Sequence, residues 1–147
     1  MPTFKKILCP VDFDDNSVEA LAMAMDLARQ HEAMLFLLHA APPVDPLVVS
    51  APIAFARKKE EAHKNLNQMA EKYLKDTKHE TMLRVGHPAS EILAAVNETG
   101  ADLVVMATHG RTGVSHLVLG SVAERVVREA PCPVLIVRAK SAARAAA

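Results

Sequence analysis

Residues 33–40 constrain this chain more than any other segment. Met34-Leu35-Phe36-Leu37-Leu38 is an unbroken apolar run with His39 near its end. It has the length of a strand and no alternation of apolar with polar residues. That pattern suits a strand covered on both faces, as strands are in a parallel sheet. Parallel strands need long crossover connections, usually helices. The remainder of the chain must therefore supply helices to cover both faces.

Its pattern does so. Ile7 to Val11 is a short apolar run that ends at the polar cluster Asp12 to Ser17, a strand and its loop. Asn16 followed by Glu19 matches a capping box, and Val18, Leu21, Ala22, Met25 and Ala28 recur at helical spacing, predicting helix one from about Ser17 to about His31. Ala41 to Pro52 carries four prolines and reads as a surface loop. Helix two follows, from about Ile53 to about Lys75, with Ala62, Leu66, Met69, Ala70 and Tyr73 as its apolar stripe and a charged solvent face. Glu80 to Val85 is a more polar third strand. Gly86-His87-Pro88 opens helix three, Ile92, Leu93, Ala95 and Val96 form its inner face, and Gly100 closes it. Leu103 to Met106, Ser121 to Ala130 and Pro133 to Val137 complete the series as strand four, helix four and strand five. Alternation of this kind with right-handed crossovers predicts an α/β fold, an open five-stranded parallel sheet with helices on both faces.

Composition bounds the partners. A chain of 147 residues suits one domain, here residues 1–140, with the Ala-rich end from Ser141 to Ala147 frayed. Aromatic residues make up 3% with no Trp, which argues against stacking platforms for nucleic acid. Seventeen basic residues balance seventeen acidic ones, so no general attraction to nucleic acid or anionic membrane is expected. No apolar stretch approaches the roughly 18 residues of a membrane span, and Met1 to Lys6 lacks the features of a signal peptide. Cys9 and Cys132 lie in or beside apolar runs without metal spacing, which predicts buried, reduced thiols in a cytoplasmic protein.

In an open α/β sheet, ligands bind beyond the carboxyl ends of the strands where strand order reverses. The ends of strands one and four should flank that point, bringing Asp12 close to the loop from Thr108 to Ser121. This loop carries Ala107-Thr108-His109-Gly110-Arg111-Thr112-Gly113 and then Gly120-Ser121, a set of glycines, hydroxyls and one fixed cation before a helix. Glycine admits backbone N–H groups close to an anion, and the helix start adds donors and partial positive charge. The spacing fits neither a phosphate-loop NTPase nor a dinucleotide fold, because both need glycines after strand one. A receiver domain would need an Asp at the end of strand three, where Arg84-Val85-Gly86-His87 stands. No nucleophile is paired with a positioned base, so no catalytic residue is assigned; His109 and Asp12 leave slow hydrolysis open.

The residues at this point resemble the nucleotide-binding branch of the universal stress protein family, marked by Gly-x-x-Gly, nine residues, then Gly-Ser/Thr. Ala107, Gly110, the nine residues Arg111 to Leu119 and Gly120-Ser121 stand at those positions. The likeness extends through Ile7 to Asp12, Gly86-His87-Pro88, Ala101 to Met106 and Ala130 to Val137. It implies that Pro10, Val11 and Asp12 line the adenosine end and that Ala40 offers backbone groups to adenine. It also implies that Met106 and Ala107 lie against the ribose, while Gly110, Gly120, Ser121 and Val122 surround the phosphates, with His109 and Arg111 as further contacts. The implied ligand is ATP, with Mg2+ or Mn2+ between the phosphates. The implied assembly is a homodimer through strand five, Val134 to Val137, and the implied role is that of a regulator. Ala107 departs from the motif's first glycine, and its methyl fits only if φ there is negative. A second reading is a nucleotide-free interaction module in which the glycines serve turns, Asp12 and Ser121 act as caps, and His39 and His116 are packing or surface residues. A third is an enzyme related to the adenine nucleotide α-hydrolases.

Overall fold

The computed structural model describes residues 3–43, 45, 47, 51–108 and 119–138. Its elements are β1 (Lys6–Pro10), α1 (Asp15–His31), β2 (Met34–Ala41), α2 (Ala51–Tyr73), β3 (His79–Val85), α3 (Pro88–Thr99), β4 (Leu103–Ala107), α4 (Ser121–Glu129) and β5 (Val134–Val137). The strands form one parallel sheet in the order β3-β2-β1-β4-β5. Strand order reverses between β1 and β4, as the sequence pattern requires.

Period-two alternation sends neighbouring residues of each strand into different cores. Ile7 and Cys9 of β1 join Leu35 and Leu37 of β2 against Leu21, Ala24 and Ala28 of α1 and Leu66 and Ala70 of α2. Leu8 joins Phe36 and Leu38 against Ile92, Ala95 and Val96 of α3 and Ala123 and Val126 of α4. The helices thus divide two and two between the faces. At the amino end of the sheet the Asp102 carboxylate accepts from the N–H groups of Lys5 and Lys6, at 2.8 and 3.1 Å, and ties β1 to the start of β4. No helix among the described residues is long and apolar enough to cross a membrane.

Several local expectations are corrected. The N-cap of α1 is Asp14, whose side chain accepts from Ser17 N–H, so Asn16 lies inside the helix and the Asn16–Glu19 capping box does not form. An ionised carboxylate is an equally good acceptor for orphan helix donors, and the turn after β1 presents it first. α2 begins two residues before the expected Ile53 and ends two before Lys75. Pro52 falls in its first turn, where the missing N–H costs no helical bond. Leu93 is only half-buried, and the small Ala89 takes the inner position instead. Cys132 is also half-buried, because it lies in the turn before β5 rather than in a strand. Gly100 closes α3 at φ 72°, where an L side chain is strained. The tail from Ser141 to Ala147 lies outside the described residues.

Two predictions follow from this packing. Leu37 is fully buried between α1, α2 and the neighbouring strands; Leu37→Ala should lower unfolding free energy by about 2–5 kcal/mol in urea titration, with the slope unchanged. Burial pushes the Cys9 thiol up to about 12, and burial followed by the Asp102 charge raises Cys132 more modestly. Since the thiolate is the reactive form, an aromatic disulfide reagent at pH 8 should label Cys132 slowly, and faster as pH rises, while Cys9 reacts only after denaturant unfolds the chain.

Candidate functional site

The reversal point lies where β1 and β4 end. β1 pairs Lys6 with Met34 of β2, and Ile7 with Leu103 of β4. Continued along both strands, these registers set Asp12 level with Ala40 on one side and with Thr108 on the other. Pro10, Val11, Asp12, Ala40, Met106 and Ala107 are therefore brought to one end of the three inner strands. Val11, Ala40 and Met106 are buried, whereas Pro10, Asp12 and Ala107 are partly open.

Past β1 the chain makes a tight turn into α1, held by a small group of hydrogen bonds. Val11 N–H donates to Leu38 O at 2.8 Å, extending the β1–β2 ladder by one residue. Asp12 N–H donates to Ser17 Oγ at 2.8 Å. His39 Nδ1 lies 2.7 Å from Val11 O; a carbonyl only accepts, so this nitrogen carries the proton. The Asp12 Oδ1 atom lies 4.0 Å from the same nitrogen, beyond hydrogen-bond reach. The Phe13 ring packs on the His39 ring with centroids 4.3 Å apart and planes at 40°. Phe13 has φ 64°, one of two non-glycine residues with positive φ among those described.

The β4 side is closed differently. Thr108 is buried, and both its N–H and its hydroxyl donate to Val137 O, at 3.2 and 3.1 Å, continuing the β4–β5 pairing past the strand. Gly120 N–H donates to Thr108 O at 3.0 Å, so the loop that leaves at Thr108 returns to the same point. Gly120 is the N-cap of α4 with φ −62° and ψ 157°, and as a glycine it offers no side chain to cap the helix. Ser121, expected as a possible cap, is the first helical residue and is exposed; Val122 is half-buried. Among the described residues no side chain caps the first turn of α4, whose N–H groups have no partner within the helix. Ala107 is not among the described residues with positive φ, so the backbone accommodates its methyl. His109, Gly110 and Arg111, with Gly113 and His116, lie outside the described residues.

A pocket of about 560 Å³ opens on the α2 side of the β2 end, lined by Phe13, His39, Ala41, Pro42, Phe55 and Lys58 among others. Among the described residues no group of three or more His, Cys, Asp or Glu side chains is arranged to hold a metal ion. His39, read from sequence as a packing or surface residue, is a buried packing residue.

Phe13, Ser17 and Thr108 were not singled out by sequence reasoning, although they shape the turns on either side of the reversal. Asp14 was a readable signal, since Asp is as good an N-cap as Asn. Nothing in the residue types announces the positive φ of Phe13.

The sequence model of the universal stress protein family matches residues 3–138. The chain is 38% identical over 143 residues to universal stress protein MJ0531 of Methanocaldococcus jannaschii, spanning 92% of this chain and 82% of that one. It is 39% identical over 142 residues to a universal stress protein of Thermus aquaticus, spanning 92% and 99%. Among solved structures, MJ0577 superposes with a TM-score of 0.85 at 30% identity, covering 96% of this chain and all of that one. A universal stress protein in complex with cAMP superposes with a TM-score of 0.71 at 25% identity, covering 93% and 99%.

Proposed function

Because this chain belongs to the universal stress protein family, we propose that it binds ATP at the β1–β4 reversal and converts occupancy into a change of conformation or partner choice, as a cytoplasmic regulator of stress response. The observation that carries this reading is the join of Thr108 to Gly120. It starts α4 beside the end of β4, with a glycine, and so no N-cap side chain, in front of its first N–H groups. Such a helix start favours an anion through both its donors and its dipole. A similar protein in complex with cAMP adds a precedent for an adenine nucleotide.

In this reading the phosphates meet Gly120, Ser121 and Val122, with His109, Gly110 and Arg111 contributing from the loop. The ribose lies against Asp12, Met106 and Ala107. The base lies over Pro10 and Val11 with its edge at Ala40, and the pocket beside Ala41 supplies room next to it. A divalent cation, Mg2+ or Mn2+, would neutralise phosphate charge. The Asp12 carboxylate, 44% exposed, is a hard oxygen donor suited to it, and the phosphates themselves would supply most of its other ligands. The chain's own part is to bind, orient and release; no step of bond cleavage is assigned. The same reading pairs β5 with its counterpart in a second copy. β5 ends the sheet, its Val134–Val137 run is apolar, and Leu135 is 37% exposed on an otherwise unpaired edge.

The test is thermal unfolding with ATP, GTP and no nucleotide, with and without magnesium. ATP at a hundred times its dissociation constant should stabilise the protein by about 2.7 kcal/mol. Stability unchanged by every nucleotide would favour the nucleotide-free module instead. Gly120→Val should keep the fold, because φ −62° and ψ 157° suit any residue, but should lose the ATP response as the branched side chain enters the phosphate space. Ala107→Gly should bind ATP as well or better. Leu135→Lys should shift the mass measured by light scattering from dimer to monomer while leaving ATP binding intact.

A further inference from the structure

The peptide between Val11 and Asp12 is held at both ends by side chains. Its carbonyl accepts from His39 Nδ1 at 2.7 Å, and its N–H donates to Ser17 Oγ at 2.8 Å. With both polar ends engaged, the plane of this peptide cannot rotate without breaking one bond or the other. The next residue, Phe13, stands at φ 64°, a conformation that a bulky residue adopts only when its surroundings impose it. Glu32, the other described non-glycine residue with positive φ, closes α1, and its N–H is used by Ala28 O and Arg29 O. Phe13 has no such capping duty. Its ring packs on the core beneath α1 and α2 and on the His39 ring, at 4.3 Å between centroids, with the imidazole only 8% exposed. One side chain thus engages the peptide before Asp12 with its nitrogen and the residue after Asp12 with its ring face.

We propose that His39 and Phe13 are positioning residues for the nucleotide site, acting through the Val11–Asp12 peptide to hold Asp12 at the reversal point. The proposal rests on the ATP reading. His39 supplies the hydrogen bond and the stacking surface; Phe13 supplies the turn that sends the chain from β1 into α1 with Asp12 at its crest. Neither residue needs to touch the ligand for its removal to weaken binding.

Four variants separate positioning from general packing. Phe13→Gly removes the ring but adopts φ 64° without strain, so its melting temperature should fall less than that of Phe13→Ala, while ATP affinity falls about tenfold as Asp12 loses its fixed setting. Phe13→Ala keeps the strained φ without the stack and should lower both. His39→Phe keeps a ring but leaves the Val11 carbonyl without its donor, which should cost about tenfold in affinity. His39→Asn returns a donor near the Nδ1 position but not the ring and should recover part of that loss, a rescue that a purely packing role would not produce. Residue-resolved hydrogen exchange without nucleotide reads the same device directly: the Asp12 amide should exchange faster in Phe13→Gly and His39→Phe. Wild-type affinity in Phe13→Gly, together with unchanged Asp12 exchange, would overturn the proposal even if His39→Phe fails to fold. If the wild type itself binds no ATP, the functional reading fails, and Asp12 exchange alone decides the positioning role: faster exchange upholds it and unchanged exchange sinks it.

Discussion

β1 is hydrogen-bonded along both edges, to β2 and to β4, and its side chains alternate into two separate cores. Within the sheet it joins the β2–β3 half to the β4–β5 half. From its carboxyl end the chain turns towards the face covered by α1 and α2, whereas the chain leaving β4 turns towards the face covered by α3 and α4. The two connections part at this place, and in open α/β sheets the strand ends at such a parting are where ligands bind. A crevice between strand ends is what such a strand order generally leaves.

The helix starts on either side of that crevice differ in how their donors are used. At α1, the Asp14 carboxylate already accepts from Ser17 N–H and places negative charge at the helix start. An incoming anion would have to displace it. At α4, the N-cap is a glycine with no side chain to offer, and its own N–H is occupied by Thr108 O. α3 also begins without a side-chain cap, but it follows β3 at the far edge of the sheet, two strands from the reversal. In the proposed reading the phosphates therefore fall at the α4 end and the less charged part of the ligand at the β1–β2 end.

The sheet was legible because strands buried on both faces leave continuous apolar runs, as at Met34–Leu38 and Leu103–Met106, and because alternating strands and helices with one crossover hand leave few orders to choose from. Glycines and prolines marked α3 at both ends, since Pro88 and Gly100 act through backbone geometry that residue type alone determines. The start of α1 was misread because Asp14 and Asn16 are both good caps, and which one serves depends on how the turn leaves β1. That turn includes Phe13 at φ 64°, whose ring packs on one 26 residues away in sequence, at His39. Local pattern cannot report a turn that packs on a distant side chain. The bond from Gly120 N–H to Thr108 O escaped for the same reason: spacing announced a loop with glycines, but only packing of Thr108 against Val137 decides where its ends meet.

These two closures have opposite characters. On the β4 side the two ends of the loop are joined backbone to backbone, with the Thr108 hydroxyl adding a second bond to Val137. On the β1 side the Val11–Asp12 peptide depends on an imidazole and a serine hydroxyl, and the adjacent Phe13 on an aromatic face. A ligand lying across the crevice would engage a rigid backbone frame at one end and a frame built from side chains at the other. Side-chain frames are the ones that can rearrange without unravelling a strand, because rotamers change while the ladder stays paired. Any conformational response to occupancy should therefore arise at the β1–α1 turn, and the path outward from it runs along α1, whose residues pack on β1, β2 and β4 together.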